Sequence, residues 1–354
     1  MSYLNSSPDA ASPISTDAQW AIRPYRDGDI PSIVALINAA DAVDKFDRGT
    51  TESDFRVRLE GPRSDPQREL IVVEGPRPGK LPPGMPIGYG WIPSMEDSAA
   101  GERFYEPRFI VHPAARGQGL EETLLRQLLT MARLREEDPA TTRLEKVYVR
   151  VFIRQADAAS CELWSAAGLR EVRRFWVMYR PLDQPIDEPR HIEGITVRPY
   201  RLNDDNERAL EAFNNSFADH YDFQPDTQEE WNHAVGSPSC RLDLSWLAEQ
   251  DDAPGKLAGF CICWVYSEQN KISGRSEGWI DILGTTRDWR GKGLGRSLLL
   301  HGLHSLKSAG LDNAILGVDS DSPTGANRLY ESAGFRVRHV TLNYRAALSD
   351  VEFA

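Results

Sequence analysis

The second half of the chain alternates between the hydrophobic period of strands and that of helices. Apolar runs at 195–199 and 257–266 predict strands, the second so apolar that both of its faces must be covered. Residues 277–285 alternate as a further strand, and the leucines that follow fall on one face of a helix: Leu294, Leu298, Leu299, Leu303 and Leu306. The remaining predicted elements are helices over 204–217 and 325–332 and strands over 241–249, 313–319, 335–338 and 341–345. This order of elements is typical of a mixed α/β layer.

The first half of the chain repeats motifs of the second half in the same order. "PAARGQGLEETLL" at 113–125 matches "DWRGKGLGRSLLL" at 288–300 at the arginine, two glycines, a leucine and a leucine pair. Three further pairs are "IRPYRDGDI" with "VRPYRLNDD", "SAAGLREV" with "ESAGFRVR", and "VMYR" with "LNYR". Such ordered self-similarity indicates two copies of one domain. We therefore predict two tandem domains, each a mixed, mostly antiparallel sheet flanked by helices.

The predicted boundaries follow from composition. Residues 1–18 have no basic stretch followed by an apolar block, so we expect a disordered tail rather than a signal peptide. The first domain then spans 19–182, and the second spans 195–354. Between them, residues 183–194 are rich in proline and charge and poor in apolar residues, which predicts a linker.

Composition and charge narrow the class of protein. Among 354 residues, 40% are hydrophobic and 27% charged, as in folded soluble proteins, and no apolar run approaches the ~18 residues of a membrane helix. A net charge of −12 argues against a nucleic-acid binder, whose affinity depends on Lys and Arg neutralising phosphates. The four cysteines (Cys161, Cys240, Cys261 and Cys263) form no CxxC pair. We expect reduced structural thiols and a cytoplasmic protein that binds neither nucleic acid nor a membrane.

The glycine-rich loop of the second copy predicts an anion site. It runs Arg290, Gly291, Lys292, Gly293, Leu294, Gly295 and Arg296 between a strand and a helix. Glycines let the main chain turn tightly and leave room for a ligand, and a helix start adds unpaired N–H groups and a positive dipole end. The spacing fits neither a P-loop nor a dinucleotide fingerprint. The predicted ligand is a pyrophosphate or a similar anion; the alternative is a helix-capping turn without a ligand.

A second motif gives the loop a family context. "LYESAGF" carries Leu329, Tyr330, Gly334 and Phe335, about 35 residues after the loop. Loop and motif together resemble the acetyl-CoA site of the GNAT N-acetyltransferase superfamily, and the tandem arrangement is similar to that of double-GNAT proteins. The resemblance implies that the loop holds the CoA pyrophosphate and that the main chain of Leu283, Gly284 and Thr285 binds the pantetheine arm. Ser322 takes a place where many members have an asparagine that contacts the cofactor.

The same resemblance suggests the catalytic groups. It implies that Tyr330 protonates the departing CoA sulfur. For the base that deprotonates the amine, strand alternation places Glu277, Trp279 and Asp281 on one face. Glu277, thirteen residues before Arg290, is the first choice, and Asp281 is the second. The family needs no metal, and His301 with His304 offers only two of the three ligands that a site requires, so we predict none.

The first copy differs from the second at three chemical positions. Glu121 stands where Gly295 would approach the phosphates, Trp164 takes the place of Tyr330, and Arg103 precedes the loop where the second copy has Glu277. We infer that the first domain has kept the fold and lost the reaction, and serves as a scaffold or as a wall of the acceptor site.

The prediction is an acetyl-CoA-dependent N-acetyltransferase, active in the second domain by direct attack of a small-molecule or peptide amine. The family resemblance implies that the segment after the first helix of the second copy borders the acceptor site. Its acidic residues are candidates to attract a cationic amine and its aromatic residues are candidates for apolar walls; the alternative is an ordinary acidic helix surface. The acidic residues are Asp219, Asp222, Asp226, Glu229 and Glu230, and the aromatic residues are Tyr221, Phe223 and Trp231. Two alternatives stay open: a non-catalytic CoA-binding sensor or interaction module of the same fold, and transfer of an acyl group other than acetyl.

Overall fold

The structure is a computed structural model that describes residues 15–17, 20–75, 84–97, 100–322 and 324–352. The predicted disordered tail lies outside these residues except for 15–17, which form a short strand. The described chain divides into two compact units. The first contains the residues up to Val151 together with Glu162–Arg170 and the segment from Arg345 on; the second contains Phe152–Cys161 and Glu171–Tyr344.

The first repeat begins with a five-stranded antiparallel sheet in the order β1-β2-β3-β4-β7, and β6 separately pairs with β5 and β8. Its strands are β1 (Ser15–Asp17), β2 (Trp20–Pro24), β3 (Leu70–Glu74), β4 (Gly88–Trp91), β5 (Ser94–Asp97), β6 (Glu102–Tyr105), β7 (Arg108–Val111), β8 (Lys146–Arg154) and β9 (Arg170–Pro181). Its helices are α1 (Ile30–Asp44), α2 (Glu52–Leu59), α3 (Pro66–Glu69), α4 (Leu120–Glu137) and α5 (Ala158–Ala166).

The second repeat builds the sheet of the second unit, in the order β10-β11-β12-β13-β14-β9-β15. Its strands are β10 (Ile195–Pro199), β11 (Trp246–Gln250), β12 (Leu257–Trp264), β13 (Glu277–Thr285), β14 (Asn313–Asp319) and β15 (Arg336–Ala347). Its helices are α6 (Asn206–Phe217), α7 (Gln228–Val235), α8 (Ser267–Ser273), α9 (Leu294–Ser308) and α10 (Ala326–Ser332). Strands β10 to β13 pair antiparallel, β13 pairs parallel with β14, and β14 pairs antiparallel with β9.

These elements confirm the mixed α/β fold predicted from the hydrophobic pattern. Strands β10, β13 and β14 have the predicted bounds. The strand predicted at 241–249 begins only at Trp246, because Leu242–Leu244 form a 3-10 turn. The two short closing strands are one continuous strand, β15. Within the described chain, no helix is both long and apolar enough to span a bilayer.

Strand β9 departs from the predicted division at residue 182. It belongs to the first repeat by sequence, yet it pairs with β14 of the second, with Val177 opposite Gly317. The fully buried Met178 and the partly buried Trp176 pack into the core of the second unit, which lies between the sheet and α9. The sequence repeat therefore marks the origin of the strand but not the sheet in which it is paired.

A second apolar cluster covers the opposite face of this sheet. Trp231 from α7 and Phe260 from β12 are its largest fully buried members, and Phe213 and Phe217 of α6 pack against it. Strand β12 is thus covered on both faces, as its apolar run predicted.

The predicted linker lies along α9 for much of its length. The Ser297 hydroxyl donates to the carbonyl of Arg190 at 2.8 Å, and His304 contacts the carbonyl of Asp187 at 3.1 Å. Ile186 and Ile192 pack against the same core as α9. Residues 183–194 are therefore a packed strap on this helix.

Candidate active site

The second unit contains a cavity of about 730 Å³ at the point where β13 and β14 part. Their parallel pairing runs only from Glu277 opposite Asn313 to Trp279 opposite Ile315. Beyond that point, residues 280–285 pair with β12 on one side and leave their other main-chain edge without pairing to β14. This edge offers hydrogen-bonding groups to a bound chain, as the resemblance implied for residues 283–285.

Most of the residues predicted from the sequence meet at this cavity. Those that line it are Asp281, Leu283, Gly284, Thr285, Arg290, Gly291, Gly293, Gly295, Arg296, Ser322 and Tyr330. Glu277, Lys292 and Leu294 are not among the lining residues. The Leu294 side chain is fully buried in the core beneath α9, and the Lys292 ammonium lies over the ring of Trp289, 4.6 Å from its centre.

The glycine loop leads into the N-terminus of α9. Gly291 (φ 72°) and Gly293 (φ 86°) adopt left-handed conformations that favour glycine. The first main-chain bond of the helix runs from the Ser297 N–H to the Gly293 carbonyl at 3.1 Å. The preceding N–H groups of residues 294–296 therefore have no partner within the helix, and the positive end of its dipole lies there.

Gly295 differs from these two glycines because its backbone does not require glycine. A Cβ atom there would meet only Thr285 and Leu329, at ordinary contact distances of 3.7 and 3.8 Å. Its φ is not left-handed. Gly295 nevertheless lines the cavity, so a longer side chain at this position would occupy space that a ligand could use.

The two loop arginines that line the cavity also have protein partners. Arg290 donates to the Ser216 carbonyl at 2.8 Å and to the Asp219 carboxylate at 3.1 Å. Arg296 pairs with Asp187 of the strap at 2.7 Å and donates to Ser332 at 2.8 Å. The predicted anion site therefore relies on main-chain N–H groups more than on free side-chain cations.

Tyr330 lies on α10 and is largely buried, with its ring edge-on to Phe335 at 6.0 Å. Burial raises the pKa of its hydroxyl well above the usual range, and the nearby Cys261 adds to this effect. The hydroxyl therefore stays protonated through neutral pH, as a proton donor must.

Asp281 stands at a β-bulge between β12 and β13. Ile262 pairs with Ile282 and Cys263 pairs with Ile280, so Asp281 is the extra residue. Its side chain is exposed to the cavity, while protein surrounding it raises the pKa of the carboxyl to about 6. No cation pairs with it in the part of the chain that the structure describes. The bulge thus presents a carboxylate that can both lose and gain a proton near neutral pH.

The bulge also breaks the alternation assumed for β13. Trp279 and Ile282 pack on the α6 face of the sheet, whereas Ile280 and Leu283 pack on the α9 face. The buried Glu277 carboxylate accepts two bonds from Arg338 of β15, at 2.9 and 3.0 Å. The structure therefore does not bring Glu277, the first-choice base, to the cavity; it places Asp281 there.

The lining also includes residues that the sequence did not single out. Phe175, Trp176 and Val177 come from β9, and His220 follows α6. Burial and the nearby Arg290 lower the pKa of His220, which favours its neutral form at neutral pH. The sequence assigns the aromatic segment "RFWVMYR" to the first domain, so no local pattern indicates that it lines a site in the second unit.

None of the five acidic residues predicted to attract an amine is among the residues that line the cavity. Asp219 binds Arg287 as well as Arg290. Glu230 completes a capping box with Thr227 at the start of α7. Of the aromatic candidates, Tyr221 lines the cavity, whereas Trp231 is fully buried in the core.

In the first repeat, the corresponding positions are also used for structural contacts. Trp164 is buried, 6.1 Å from the ring of Phe109. Arg103 is fully buried and binds Glu136 and Glu96. Glu121 lies in the first turn of α4, where the helix dipole favours a carboxylate.

The two histidines of α9 have protein contacts of their own. His301 stacks against Trp246 with ring centres 4.6 Å apart, and His304 contacts the strap. Among the described residues, no cluster of three or more His, Cys, Asp or Glu side chains is arranged to hold a metal ion.

Comparison with known proteins finds relatives along most of the chain. Residues 206–335 match the acetyltransferase (GNAT) family model. A mycothiol acetyltransferase of Thermomonospora curvata is 31% identical over 285 residues, which cover 80% of this chain and 84% of that protein. Another, from Thermobispora bispora, is 29% identical over 324 residues, covering 90% and 96% respectively.

Solved structures extend the similarity to both repeats. A GCN5-related N-acetyltransferase from Sphaerobacter thermophilus superposes with a TM-score of 0.70 at 28% identity, covering 93% of this chain and 96% of that one. A tandem GNAT protein from the clavulanic acid biosynthesis pathway gives a TM-score of 0.68 at 14% identity, with coverage of 93% and 99%. The latter similarity concerns the fold alone.

Proposed function

The chain belongs to the GNAT acetyltransferase family and is an N-acetyltransferase; we propose that its second repeat moves an acetyl group from acetyl-CoA to a primary amine. One observation carries this proposal. A single cavity joins the glycine loop, the unpaired edge of β13, the Tyr330 hydroxyl and the Asp281 carboxylate. These are an anion site, a binding edge for an extended chain, a proton donor and a proton acceptor.

The loop would bind the acetyl donor through its main chain. The unpaired N–H groups at the start of α9 fit the pyrophosphate of CoA, because they combine donors with the positive end of the dipole. The edge of β13 at residues 283–285 would hold the pantetheine arm. The thioester would then lie between Asp281 and Tyr330, which both line the cavity.

Asp281 and Tyr330 would divide the proton transfers. The amine nitrogen bonds to the thioester carbonyl carbon, and the carbon–sulfur bond breaks. Asp281 accepts the proton that the amine loses, directly or through a water molecule, because its pKa of about 6 leaves it mostly ionised at pH 7. Tyr330 donates its hydroxyl proton to the departing sulfur. We assign no role in this chemistry to Glu277, whose carboxylate is held by Arg338.

Calorimetric titration of acetyl-CoA into the full chain tests the proposal. We expect one site per chain, lost in Gly295→Glu. Two charges about 4 Å apart repel by about 4 kcal/mol at an effective dielectric constant of about 20. At about 1.4 kcal/mol per tenfold change, affinity should therefore fall at least about a hundredfold. A Cβ fits at this position, so the variant should fold.

Ser308→Glu is the matched control, since it adds the same charge at the exposed C-terminal end of α9. It should bind acetyl-CoA as the parent does. Two sites per chain, or one that survives Gly295→Glu, would mean that the first repeat binds the donor and would contradict the proposal. If the chain binds acetyl-CoA but forms no free CoA with any amine tested, it would instead be a non-catalytic CoA-binding module.

A further inference from the structure

Gly317 is a glycine in the interior of β14 that neither packing nor conformation explains. Leu316 and Val318 pack into the core beneath α9, so Gly317 faces the opposite side of the sheet. There it lines the cavity and is exposed, and a Cβ atom would meet no atom within 4 Å. Its φ is not left-handed. Glycine weakens a strand, and its presence in one often marks a place where a ligand approaches the main chain closely.

Apolar and aromatic side chains line the same cavity as Gly317. Trp176 and Met178 of β9 pack into the core beneath α9, so Phe175 and Val177 lie on the same side of the sheet as Gly317. Val177 is the direct cross-strand partner of Gly317. Tyr221 also lines this cavity, after the end of α6. The cavity therefore holds an open main-chain surface at Gly317, here called the platform, with ring and methyl groups among the residues that line the same cavity.

Charges at this side are few and already compensated. Asp319 accepts two bonds from the Nε atom of Arg173, at 3.0 and 3.1 Å, which neutralise its carboxylate. The same guanidinium lies over the ring of Tyr221, 5.0 Å from its centre. Burial and Arg290 favour neutral His220, so this histidine presents little positive charge to a protonated amine. Asp281 remains as the carboxylate that can attract the amine nitrogen.

We propose that the acceptor is a primary amine on a flat, aromatic body, which lies on the main chain at Gly317 between Phe175 and Tyr221 with its nitrogen toward Asp281. This inference rests on the proposed function and specifies its substrate class. A flat ring can approach a glycine main chain closely and gains ring contacts from both borders. A polyhydroxylated amine would lose water at this apolar surface with few polar partners to replace it.

The test compares four amines with the full-length protein and acetyl-CoA: 2-phenylethylamine, tryptamine, glucosamine and spermidine. We expect kcat/KM for the two aromatic amines to exceed that for the other two by about tenfold or more. Gly317→Leu should then lower kcat/KM for the aromatic amines by at least about tenfold, because the new side chain fills the platform. The KM for acetyl-CoA should change by less than about twofold. Phe175→Ala should also lower kcat/KM for the aromatic amines relative to that for glucosamine and spermidine.

Gly28→Leu is the control for adding a leucine to open space. Gly28 is exposed in the first unit, its φ is not left-handed, and a Cβ atom there meets nothing within 4 Å. Preference for glucosamine or spermidine would overturn the inference and leave the acetyltransferase proposal intact. Unchanged aromatic turnover in Gly317→Leu, or a raised KM for acetyl-CoA alone, would also overturn it. Absence of acetyl-CoA binding would instead refute the proposed function itself.

Discussion

Replacing Asp281 by asparagine tests the centre of the proposed mechanism. The substitution keeps the size of the side chain and removes its basicity. A positioned general base contributes about 10²- to 10⁴-fold to a rate, and we expect kcat at pH 7.5 to fall within that range. Product formation measured by chromatography gives this value for each variant. Asp288→Asn is the control, because it removes an exposed carboxylate beside the same loop that does not line the cavity.

The pH dependence gives a sharper criterion than the loss of rate. With the pKa of Asp281 at about 6, the profile of kcat/KM against pH for the parent should break near that value, and below it kcat/KM should lose a further factor of about ten per pH unit. In Asp281→Asn this break should disappear, and the residual rate should rise evenly with pH through 6 as more of the free amine is deprotonated. A break that persists near pH 6 in the variant, or a kcat above about a tenth of the parent value, would refute the assignment of Asp281 as base.

Stability provides an independent check with a defined sign. The pKa of Asp281 is raised from its usual value of 3.8 to about 6, so the folded state binds this proton more tightly than the unfolded state does. The contribution of Asp281 to the free energy of unfolding is therefore highest below pH 4 and declines as the pH rises through 6. Asp281→Asn removes this decline, so its melting temperature relative to the parent should be higher at pH 7.5 than at pH 4.5. A variant-minus-parent difference in melting temperature that is smaller at pH 7.5 than at pH 4.5 would contradict the raised pKa of Asp281.

Two further variants separate chemistry from structure. Tyr330→Phe should lower kcat by about 10²-fold or more with little change in the Kd for acetyl-CoA by calorimetry, because it removes only the donated proton; unchanged turnover would rule out the acid role. Glu277→Gln should lower the free energy of unfolding by about 2 kcal/mol in urea, because it weakens two charged hydrogen bonds to Arg338. Its kcat should stay within about twofold of the parent, whereas a hundredfold loss with unchanged stability would restore Glu277 as the base.

The parts of the site that could be predicted are those encoded by short stretches of sequence. The glycines before α9, the bounds of β13 and the position of Tyr330 on α10 all depend on neighbours within a few residues. Local signals of this kind fix the element type and its ends. That these elements meet at one site is what the family resemblance implied, and the loop, the strand edge and Tyr330 all line one cavity.

The choice of base required information that lies far along the chain. Counting alternate residues in β13 assumed a regular strand, and the bulge opposite Ile262 and Cys263 shifts the faces by one residue. The partner of Glu277 is Arg338, 61 residues later, on a strand whose pairing no local pattern reveals. The spacing of Glu277 from Arg290, which resembles that of a catalytic glutamate in the family, therefore favoured Glu277, while the fold gives the exposed position to Asp281.

The pairing of β9 with β14 of the second repeat could not be predicted for the same reason. Which strands pair in a sheet is decided by packing between distant segments, and a sequence repeat says only that the segments share ancestry. The apolar face of β9, with Met178 and Trp176, packs into the core beneath α9. Phe175 and Val177 could be assigned to the acceptor side only after this pairing was known.

The differences in the first repeat can now be interpreted in physical terms. Exchanging Glu121 for glycine would not by itself restore a second active site there, because Trp164 fills the place of the proton donor and Arg103 is held by two glutamates in the core. These side chains stabilise the first unit, so the positions have acquired structural roles. We infer that the first repeat is retained for its structure and for β9, whose Phe175 and Val177 border the platform at Gly317. The proposed loss of chemistry in one copy is compatible with retention of its last strand, because β9 pairs with β14 of the second repeat.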